Sequence, residues 1–288
     1  MPQKLKVKEY IINDGIGAKI WRKLYAMSYA KHNNLAFEDT PIENFLIHES
    51  DQVYNKEEEE KLVNNLLSLI DNPWAMIDFS NSEEYTVCDK VGAGLEENQG
   101  IIDNKDFLSS ATEFNHITDY DNSIVIHIRR GNVTEENPRW IEDKVYINLL
   151  NNIGSIIQKF NLDSPKVIVL TDAPDKEKYY TPVGNSQKEM WQQPYLNPTE
   201  SGSYITTSID FESLKTAYPN LQIVNRLGTY ESFLLMIRAK VLVVSRSAFS
   251  QSAGLLSKNH VFEMFECFNG FKNRCGLIDQ NGDIVFYK

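Results

Sequence analysis

The chain has 288 residues, of which 42% are hydrophobic and 24% charged, and it carries a formal net charge of −11. A chain of this length usually divides into two domains, and its composition is that of an ordinary soluble globular protein. The acidic balance argues against a nucleic-acid-binding protein, because a polyanion needs a strong basic patch, but it leaves room for a small phosphate ligand held by a few local cations.

The first half of the chain predicts a modest alternation of strands and helices. Its elements in order are a strand over 5–12, a glycine turn over 13–17, a helix over 18–32, a short strand from 36–37, an amphipathic helix over 56–70 and weak strands over 76–79 and 85–87. Residues 89–122 are polar with few periodic signals, and we place a domain boundary at residue 121.

The second half carries stronger patterns. It predicts strands over 124–128, 166–170, 221–224, 241–244 and 260–265, helices over 142–160, 230–238 and from about 247 to 256, and a hairpin turn at Asn281-Gly282. A long polar segment, 173–204, contains four prolines and is expected to be functional or mobile. Strands that alternate with helices predict parallel βαβ units. We therefore expect an α/β protein of two Rossmann-like domains, 1–121 and 122–288, that face one cleft.

The strand over 124–128 ends in the most informative residues of the chain. His127, Arg129 and Arg130 stand at its carboxyl end, where ligands bind in open α/β sheets, and buried guanidinium groups are costly unless an anion meets them. Because side chains alternate along a strand, His127 and Arg129 should share a face and Arg130 should point the other way unless the turn redirects it. The alternative is a structural pair between an arginine and a carboxylate.

Three further segments stand between a strand and a helix or at a strand end. Gly15 and Gly17 could let the backbone approach an anion, although a plain βα turn explains them equally well. Asp172 could accept hydrogen bonds from a ribose or a purine edge, or form an Asx turn. Residues 245–250, Ser-Arg-Ser-Ala-Phe-Ser, could cradle a phosphate at a helix start, or simply supply a serine cap.

We therefore expect these cationic, acidic and anion-binding groups to lie together at one edge of a sheet. This combination predicts a pocket for a nucleoside diphosphate. Glycosyl transfer to a hydroxyl also needs a general base. Four carboxylates follow the arginines: Glu135, Glu136, Glu142 and Asp143. We choose Glu135 or Glu136 as the candidate base, since most of the four are expected to be solvated surface charges.

The motifs resemble those of a known family. His-Ile-Arg-Arg-Gly-Asn at 127–132, Val-Leu-Thr-Asp-Ala-Pro at 169–174, Ser-Arg-Ser-Ala-Phe-Ser at 245–250 and Asp-Gly-Ile-Gly-Ala at 14–18 resemble, in order and spacing, the motifs of GDP-fucose-dependent fucosyltransferases of the α1,2, α1,6 and protein-O groups. Asn132, where the α1,2 branch has Asp, together with the Pro138-Arg139-Trp140 run, leans toward the bacterial chitin-oligosaccharide α1,6 branch.

The resemblance implies a GT-B fold and inverting transfer without a metal or other cofactor, from GDP-fucose to a glycan or lipid-linked glycan. It implies that Arg129 holds the β-phosphate of the leaving GDP and that Asp172 reads the guanine edge. The remaining donor-binding residues that it implies are Gly15, Gly17, His127, Arg130, Asn132, Ser247, Ala248, Phe249 and Ser250. The first domain would then lie on the acceptor side and the second would bind the donor.

Two alternatives remain open at this stage. The chain could use another nucleotide sugar, or it could be a catalytically inactive glycan- or nucleotide-binding protein. Cys88, Cys267 and Cys275 form no CxxC pair, which predicts a reducing compartment and no metal site. No window approaches the ~20 apolar residues of a membrane span. We expect a protein that is not transmembrane, and that is cytoplasmic or peripheral to a membrane.

Overall fold

The structure is a computed structural model. It describes residues 4–7, 17, 30, 34–38, 93–94, 122–131, 133–173, 178–180, 204–225, 227, 229–257, 259–265 and 274–287.

In the first half of the chain, the described residues form a three-stranded sheet. Strand β1 (Lys4–Val7) pairs in parallel with β2 (Ala36–Glu38) and antiparallel with β3 (Ala93–Gly94). The predicted strand over 5–12 is confirmed for its first residues, and the short strand at 36–37 is confirmed. The predicted helix over 56–70 and the strands over 76–79 and 85–87 lie outside the described residues.

The second half is built on a seven-stranded sheet in the order β12-β11-β10-β9-β4-β5-β8. Its strands are β4 (Ser123–Ile128), β5 (Lys166–Thr171), β8 (Gln222–Val224), β9 (Val241–Val244), β10 (His260–Met264), β11 (Arg274–Ile278) and β12 (Ile284–Phe286). All neighbours are parallel except β11 and β12, which form the antiparallel hairpin predicted at Asn281-Gly282. The α/β class is therefore confirmed.

The strand order positions the candidate site. The chain runs from β4 outward to β5 and β8, then returns to β9 on the other side of β4 and continues to β10 and β11. This is the Rossmann order 3-2-1-4-5-6 with one antiparallel strand added at the edge. The order reverses between β4 and β9, and ligands of such sheets bind in the crevice at the carboxyl ends of the strands on either side of the reversal.

Five described helices accompany this sheet: α1 (Asp143–Asn152), α2 (Gly154–Lys159), α3 (Phe211–Ala217), α4 (Thr229–Arg238) and α5 (Ala248–Leu256). The predicted helix over 142–160 is in fact α1 followed by α2. The ladder is interrupted at Ile153, whose N–H bonds the Leu150 carbonyl three residues back at 3.3 Å, and Gly154 follows. Glycine is a weak helix former, which explains an interruption at this point.

The alternation of side chains along the strands separates two buried faces. Ile124, Ile126 and Ile128 of β4 belong to the apolar cluster that includes α1 and α3. Val125 and His127 are buried as well but lie outside that cluster, as the period of two requires. His127 therefore belongs to the face that α4 and α5 cover, which its contact with Phe249 of α5 confirms.

The polar segment predicted over 173–204 contains strand residues that its composition did not reveal. Strands β6 (Lys178–Tyr180) and β7 (Tyr204–Thr206) pair antiparallel. Thr207, which directly follows β7, pairs with Gly131 in the loop after β4. The division of the chain at residue 121 stays a prediction. The three-stranded sheet is formed by residues before this position and the seven-stranded sheet by residues after it. None of the helices in the described ranges has the length and apolar character that a bilayer crossing needs.

Candidate functional site

The imidazole of His127 lies at the reversal point of the sheet. It is buried, and its Nδ1 lies 2.7 Å from the hydroxyl of Ser245, the first residue after β9. Burial, assisted by the positive charge of Arg129, lowers the pKa of His127 from 6.5 to about 3. The ring is therefore neutral at physiological pH. It can form hydrogen bonds, but it offers no positive charge that would attract an anion.

An aromatic pair holds the other side of this imidazole. The Phe249 ring lies 5.9 Å from His127 and packs edge-to-face against Phe233 of α4 at 4.4 Å. Edge-to-face aromatic contacts stabilise a defined ring orientation. The end of β4 and the start of α5 are therefore fixed to each other.

Arg129 lies immediately past the end of β4, and its guanidinium forms an ion pair with the carboxylate of Asp172. Asp172 occupies the equivalent position past β5, because Ile128 is in register with Thr171. The side chains are 24% and 37% exposed, so the pair is open to water and to a competing anion. The resemblance implies a phosphate contact for Arg129 and a guanine contact for Asp172, which are opposite ends of a nucleotide, so these roles require the pair to separate.

Arg130 points to the opposite face, as strand alternation predicts. Its guanidinium is completely buried, donates to the Ile141 carbonyl at 2.7 Å and to the Arg129 carbonyl at 3.0 Å, and pairs with the Asp143 carboxylate. It also stacks on the Trp140 ring at 3.9 Å. These contacts fasten the loop to the start of α1, so Arg130 braces the loop, and its guanidinium is turned away from the face that His127 occupies.

Residues 245–250 form the turn between β9 and α5. Ser247 is the N-cap residue of α5, and its hydroxyl makes no capping hydrogen bond, while no acidic residue stands in the helix's first turn. The amides of Ala248 and Phe249 are the first of the helix, and the N-terminal end of a helix attracts anions. The turn therefore resembles an anion cradle in its chemistry.

The Ser250 hydroxyl has a different task within this turn. It is completely buried, accepts from the Ser245 amide at 3.2 Å and donates to the Ser247 carbonyl at 3.3 Å. The side-chain amide of Gln251 donates a further bond to the Ser245 carbonyl at 3.3 Å. Ser250 therefore shapes the turn from within, and its expected contact with a phosphate would require these bonds to rearrange.

Gly17, from the first half of the chain, lies directly against this turn. Its carbonyl accepts a hydrogen bond from the Ser252 hydroxyl at 2.5 Å, and a Cβ placed on it would lie 2.3 Å from the backbone of Phe249. Only glycine fits so close to another backbone. Gly17 therefore lies against the start of α5, while Gly15 lies outside the described residues, and the closing of the cleft by this segment stays a prediction.

The candidate bases lie on the exposed turn that follows the arginines. Glu135 and Glu136 are exposed, and the Thr134 hydroxyl, which donates to Glu136 at 2.7 Å, lowers the pKa of that carboxyl. Glu142 forms an ion pair with Lys144 at 2.5 Å, and Asp143 forms one with Arg130. The choice of Glu135 or Glu136 stays a prediction. Asn132 lies outside the described residues.

Two contacts were not anticipated from the sequence. Arg246 donates to the Pro138 carbonyl at 2.8 Å and lies over the Phe265 ring at 4.7 Å, so it joins the turn after β9 to the turn that carries Glu135. Thr207 pairs with Gly131 through the backbone. Arg246 stands inside a motif that the sequence singled out, whereas no local pattern marks Thr207, which is distant in sequence from the loop it contacts.

The described part of the chain contains no group of three or more His, Cys, Asp or Glu side chains that could hold a metal ion. No family model matches the chain, and no curated protein matches it. Among solved structures, the chain is similar to the heptosyltransferase WaaC of E. coli with ADP-2-deoxy-2-fluoro heptose, at 9% identity over 93% of this chain and 90% of that one, with a TM-score of 0.38. At this level of likeness we transfer no residue role from it.

Proposed function

We propose that the protein is an inverting glycosyltransferase that moves fucose from GDP-fucose to a hydroxyl of a glycan or lipid-linked glycan without a metal ion. One observation carries the proposal: His127 and Ser245 touch at the reversal point of a Rossmann-ordered sheet, with Arg129 beside them. This is the crevice in which sheets of this order bind nucleotides.

The charges at this edge suit a diphosphate better than a neutral ligand. Arg129 is a permanent cation with a planar set of donors, and the first amides of α5 offer partial positive charge from the other strand end. His127 stays neutral, so it does not add a charge, but its ring can orient a ribose or phosphate oxygen through a hydrogen bond.

In the proposed reaction, the acceptor hydroxyl oxygen forms a bond to C1 of the sugar while the bond from C1 to the diphosphate oxygen breaks. The electron pair leaves with the diphosphate, and Arg129 stabilises the charge that develops there. The hydroxyl proton passes to a carboxylate, for which Glu135 and Glu136 are the candidates. Attack from the face opposite the leaving group inverts the configuration at C1.

The donor sugar and the base of the nucleotide rest on the motif resemblance alone. His-Ile-Arg-Arg-Gly-Asn at 127–132 and Ser-Arg-Ser-Ala-Phe-Ser at 245–250 favour GDP-fucose, and Asn132 favours an α1,6 linkage over α1,2. The chemistry of the edge would equally serve another nucleotide sugar, which is the second candidate.

Binding of nucleotides is the first test. Thermal shifts with GDP, UDP, ADP and CDP should show stabilisation by GDP above the others, and a response to UDP without one to GDP would refute the choice of donor. No response to any of the four would refute the glycosyltransferase.

Turnover is the second test. Arg129→Ala should lower kcat by about 100-fold or more, which is the effect of removing one charge-stabilising donor. The matched control is Arg238→Ala, since Arg238 ends α4 and lies outside the candidate site. Undiminished transfer by Arg129→Ala would overturn the proposed mechanism, and a protein that binds nucleotide but transfers no sugar would be the inactive binding protein.

A further inference from the structure

The turn that follows Arg129 is held by a segment distant in sequence. We call residues 129–131 and 133 the anion loop and residues 207–210 the strap. Thr207 donates its amide to the Gly131 carbonyl at 2.7 Å, and Gly131 donates its amide to the Thr207 carbonyl at 3.2 Å. This reciprocal pair is an isolated antiparallel bridge that extends β7 onto the loop.

The Thr207 hydroxyl adds a third attachment. It donates to the Val133 carbonyl at 2.6 Å in a buried position. The Val133 amide in turn lies 3.3 Å from the Arg130 carbonyl, which closes the turn. Thr207 therefore bonds to both sides of the turn and sets its width.

Gly131 lies close to Asp172 as well as to Thr207. Its φ is +64°, and a Cβ on it would lie 3.1 Å from Oδ2 of Asp172. Asp172 also accepts the Arg130 amide at 2.7 Å. The turn that directly follows Arg129 is therefore bonded to both Thr207 and Asp172.

The far end of the strap is fixed as well. The Asp210 amide donates to Asp143 at 3.0 Å, and Asp143 is the carboxylate that pairs with the Arg130 guanidinium. The Asp210 side chain accepts the Ser213 amide at 3.0 Å, which caps α3. The strap thus connects the anion loop to the starts of both α1 and α3.

We infer that Thr207 is a positioning residue, which fixes the anion loop so that Arg129 presents its guanidinium to the diphosphate in one place. The inference rests on the proposed function for the identity of the ligand. Its physical basis is general: catalysis by an oriented charge is lost when that charge is displaced by about 1 Å, even when the displaced residue is itself intact.

The decisive comparison is Thr207→Val against Thr207→Ser. Valine keeps the shape and the backbone bridge but removes the donor to Val133, whereas serine keeps the donor. We expect Thr207→Val to weaken GDP binding in calorimetry about 5- to 10-fold and to lower kcat/KM about 10-fold or more, and Thr207→Ser to stay within about twofold of the wild type. Hydrogen exchange at the Gly131 and Val133 amides should be faster in the valine variant alone.

Thr216→Val is the matched control, because the Thr216 hydroxyl bonds only within α3, to the Glu212 carbonyl at 2.9 Å. It should change neither binding nor exchange in the anion loop. If Thr207→Val does not fold, Thr207→Ala replaces it, since alanine also lacks the hydroxyl donor.

A folded variant without the Thr207 donor whose GDP affinity and kcat/KM match the wild type would overturn the inference, whatever its exchange rates. The proposed function can fail separately, through a wild-type protein that binds no nucleoside diphosphate. Pyrophosphate is then the probe: the inference requires weaker pyrophosphate binding by Thr207→Val than by the wild type, and equal binding, or none by either protein, would overturn it.

Discussion

Arg129 and Asp172 form an ion pair across the carboxyl ends of β4 and β5, in the position where the proposed diphosphate would lie. The Asp172 carboxylate therefore competes with the proposed diphosphate for the Arg129 guanidinium. Because both side chains are partly exposed, the pair is worth no more than about 1 kcal/mol, which a diphosphate with two or more negative charges can displace.

Removal of this competitor should strengthen anion binding. Asp172→Asn keeps an oxygen for the Arg130 amide but loses the charge, so we expect pyrophosphate to bind up to about fivefold more tightly, as calorimetry would measure. GDP should gain less than pyrophosphate if Asp172 also reads the guanine edge. Asp163→Asn, an exposed change of the same charge ahead of β5, is the control. Unchanged or weaker pyrophosphate binding would show that the pair does not compete.

The same substitution should affect different properties at the two adjacent arginines: stability at Arg130 and nucleotide binding at Arg129. Arg130→Met leaves Asp143 without its buried partner and removes the bonds to the Ile141 and Arg129 carbonyls, so we expect a loss of about 3–5 kcal/mol in the free energy of unfolding. Arg129→Met should cost less than about 1 kcal/mol in the free energy of unfolding but weaken nucleotide binding. Urea unfolding and calorimetry on both variants make the comparison, and equal destabilisation by the two would contradict it.

The neutral His127 should make stability depend on pH. Its pKa is about 3 in the folded protein and 6.5 ordinarily, so the unfolded chain binds more protons between these values. Stability is then full above about pH 6.5 and is lost as the pH falls toward 3. The free energy of unfolding should fall by about 2 kcal/mol between pH 7.5 and pH 5 on account of this residue.

His127→Asn tests this dependence, because an amide can bond to Ser245 without titrating in this range. The variant should lose about 2 kcal/mol of the pH-dependent change, whatever its stability at neutral pH. His260→Gln is the comparison: burial also lowers the pKa of His260, but that ring is less buried, so a smaller part of the change should disappear. Identical pH profiles for the wild type and His127→Asn would contradict the assignment of a neutral ring.

The close approach of Gly17 to α5 predicts a steric effect. A Cβ at Gly17 would collide with the Phe249 backbone, so Gly17→Ala should push residue 17 away from the helix, lower kcat/KM by about 10-fold or more and lower stability by about 1–3 kcal/mol. Gly154→Ala is the control, since nothing lies within 4 Å of a Cβ there, and it should stabilise α2 by up to about 1 kcal/mol. Thermal unfolding and initial rates measure both, and a fully active Gly17→Ala would exclude the contact from the working enzyme.

The base remains to be chosen between two neighbouring carboxylates. If one of them accepts the acceptor's proton, its glutamine variant should lose about 10²- to 10⁴-fold in kcat with little change in GDP binding, and the other variant should retain activity. The Thr134 hydroxyl lowers the pKa of Glu136, so a rate limited by Glu136 should lose activity only well below neutral pH. Near-normal rates for Glu135→Gln and Glu136→Gln together would exclude both.

The sequence by itself determined five of the parallel strands of the second half and the sheet edge that carries the candidate site, but it did not predict α3, β6, β7 or β11. Apolar runs such as 124–128 and 241–244 can only be buried strands in this pattern, and their alternation with helices requires parallel pairing. The period of two also placed His127 and Arg130 on opposite faces, because it is a property of the backbone and needs no knowledge of neighbours.

Only the tertiary structure decided which groups meet. The strand order brings Ser245 to His127 and Asp172 to Arg129, although each pair is separated by tens of residues or more, and no local pattern records such a distance. It also assigned Arg130 to the loop by burying it against Asp143 and Trp140, and it revealed Thr207 as the support of that loop. Side-chain partners are set by packing between distant elements, so a linear pattern can identify the residues of a site but not the contacts that orient them.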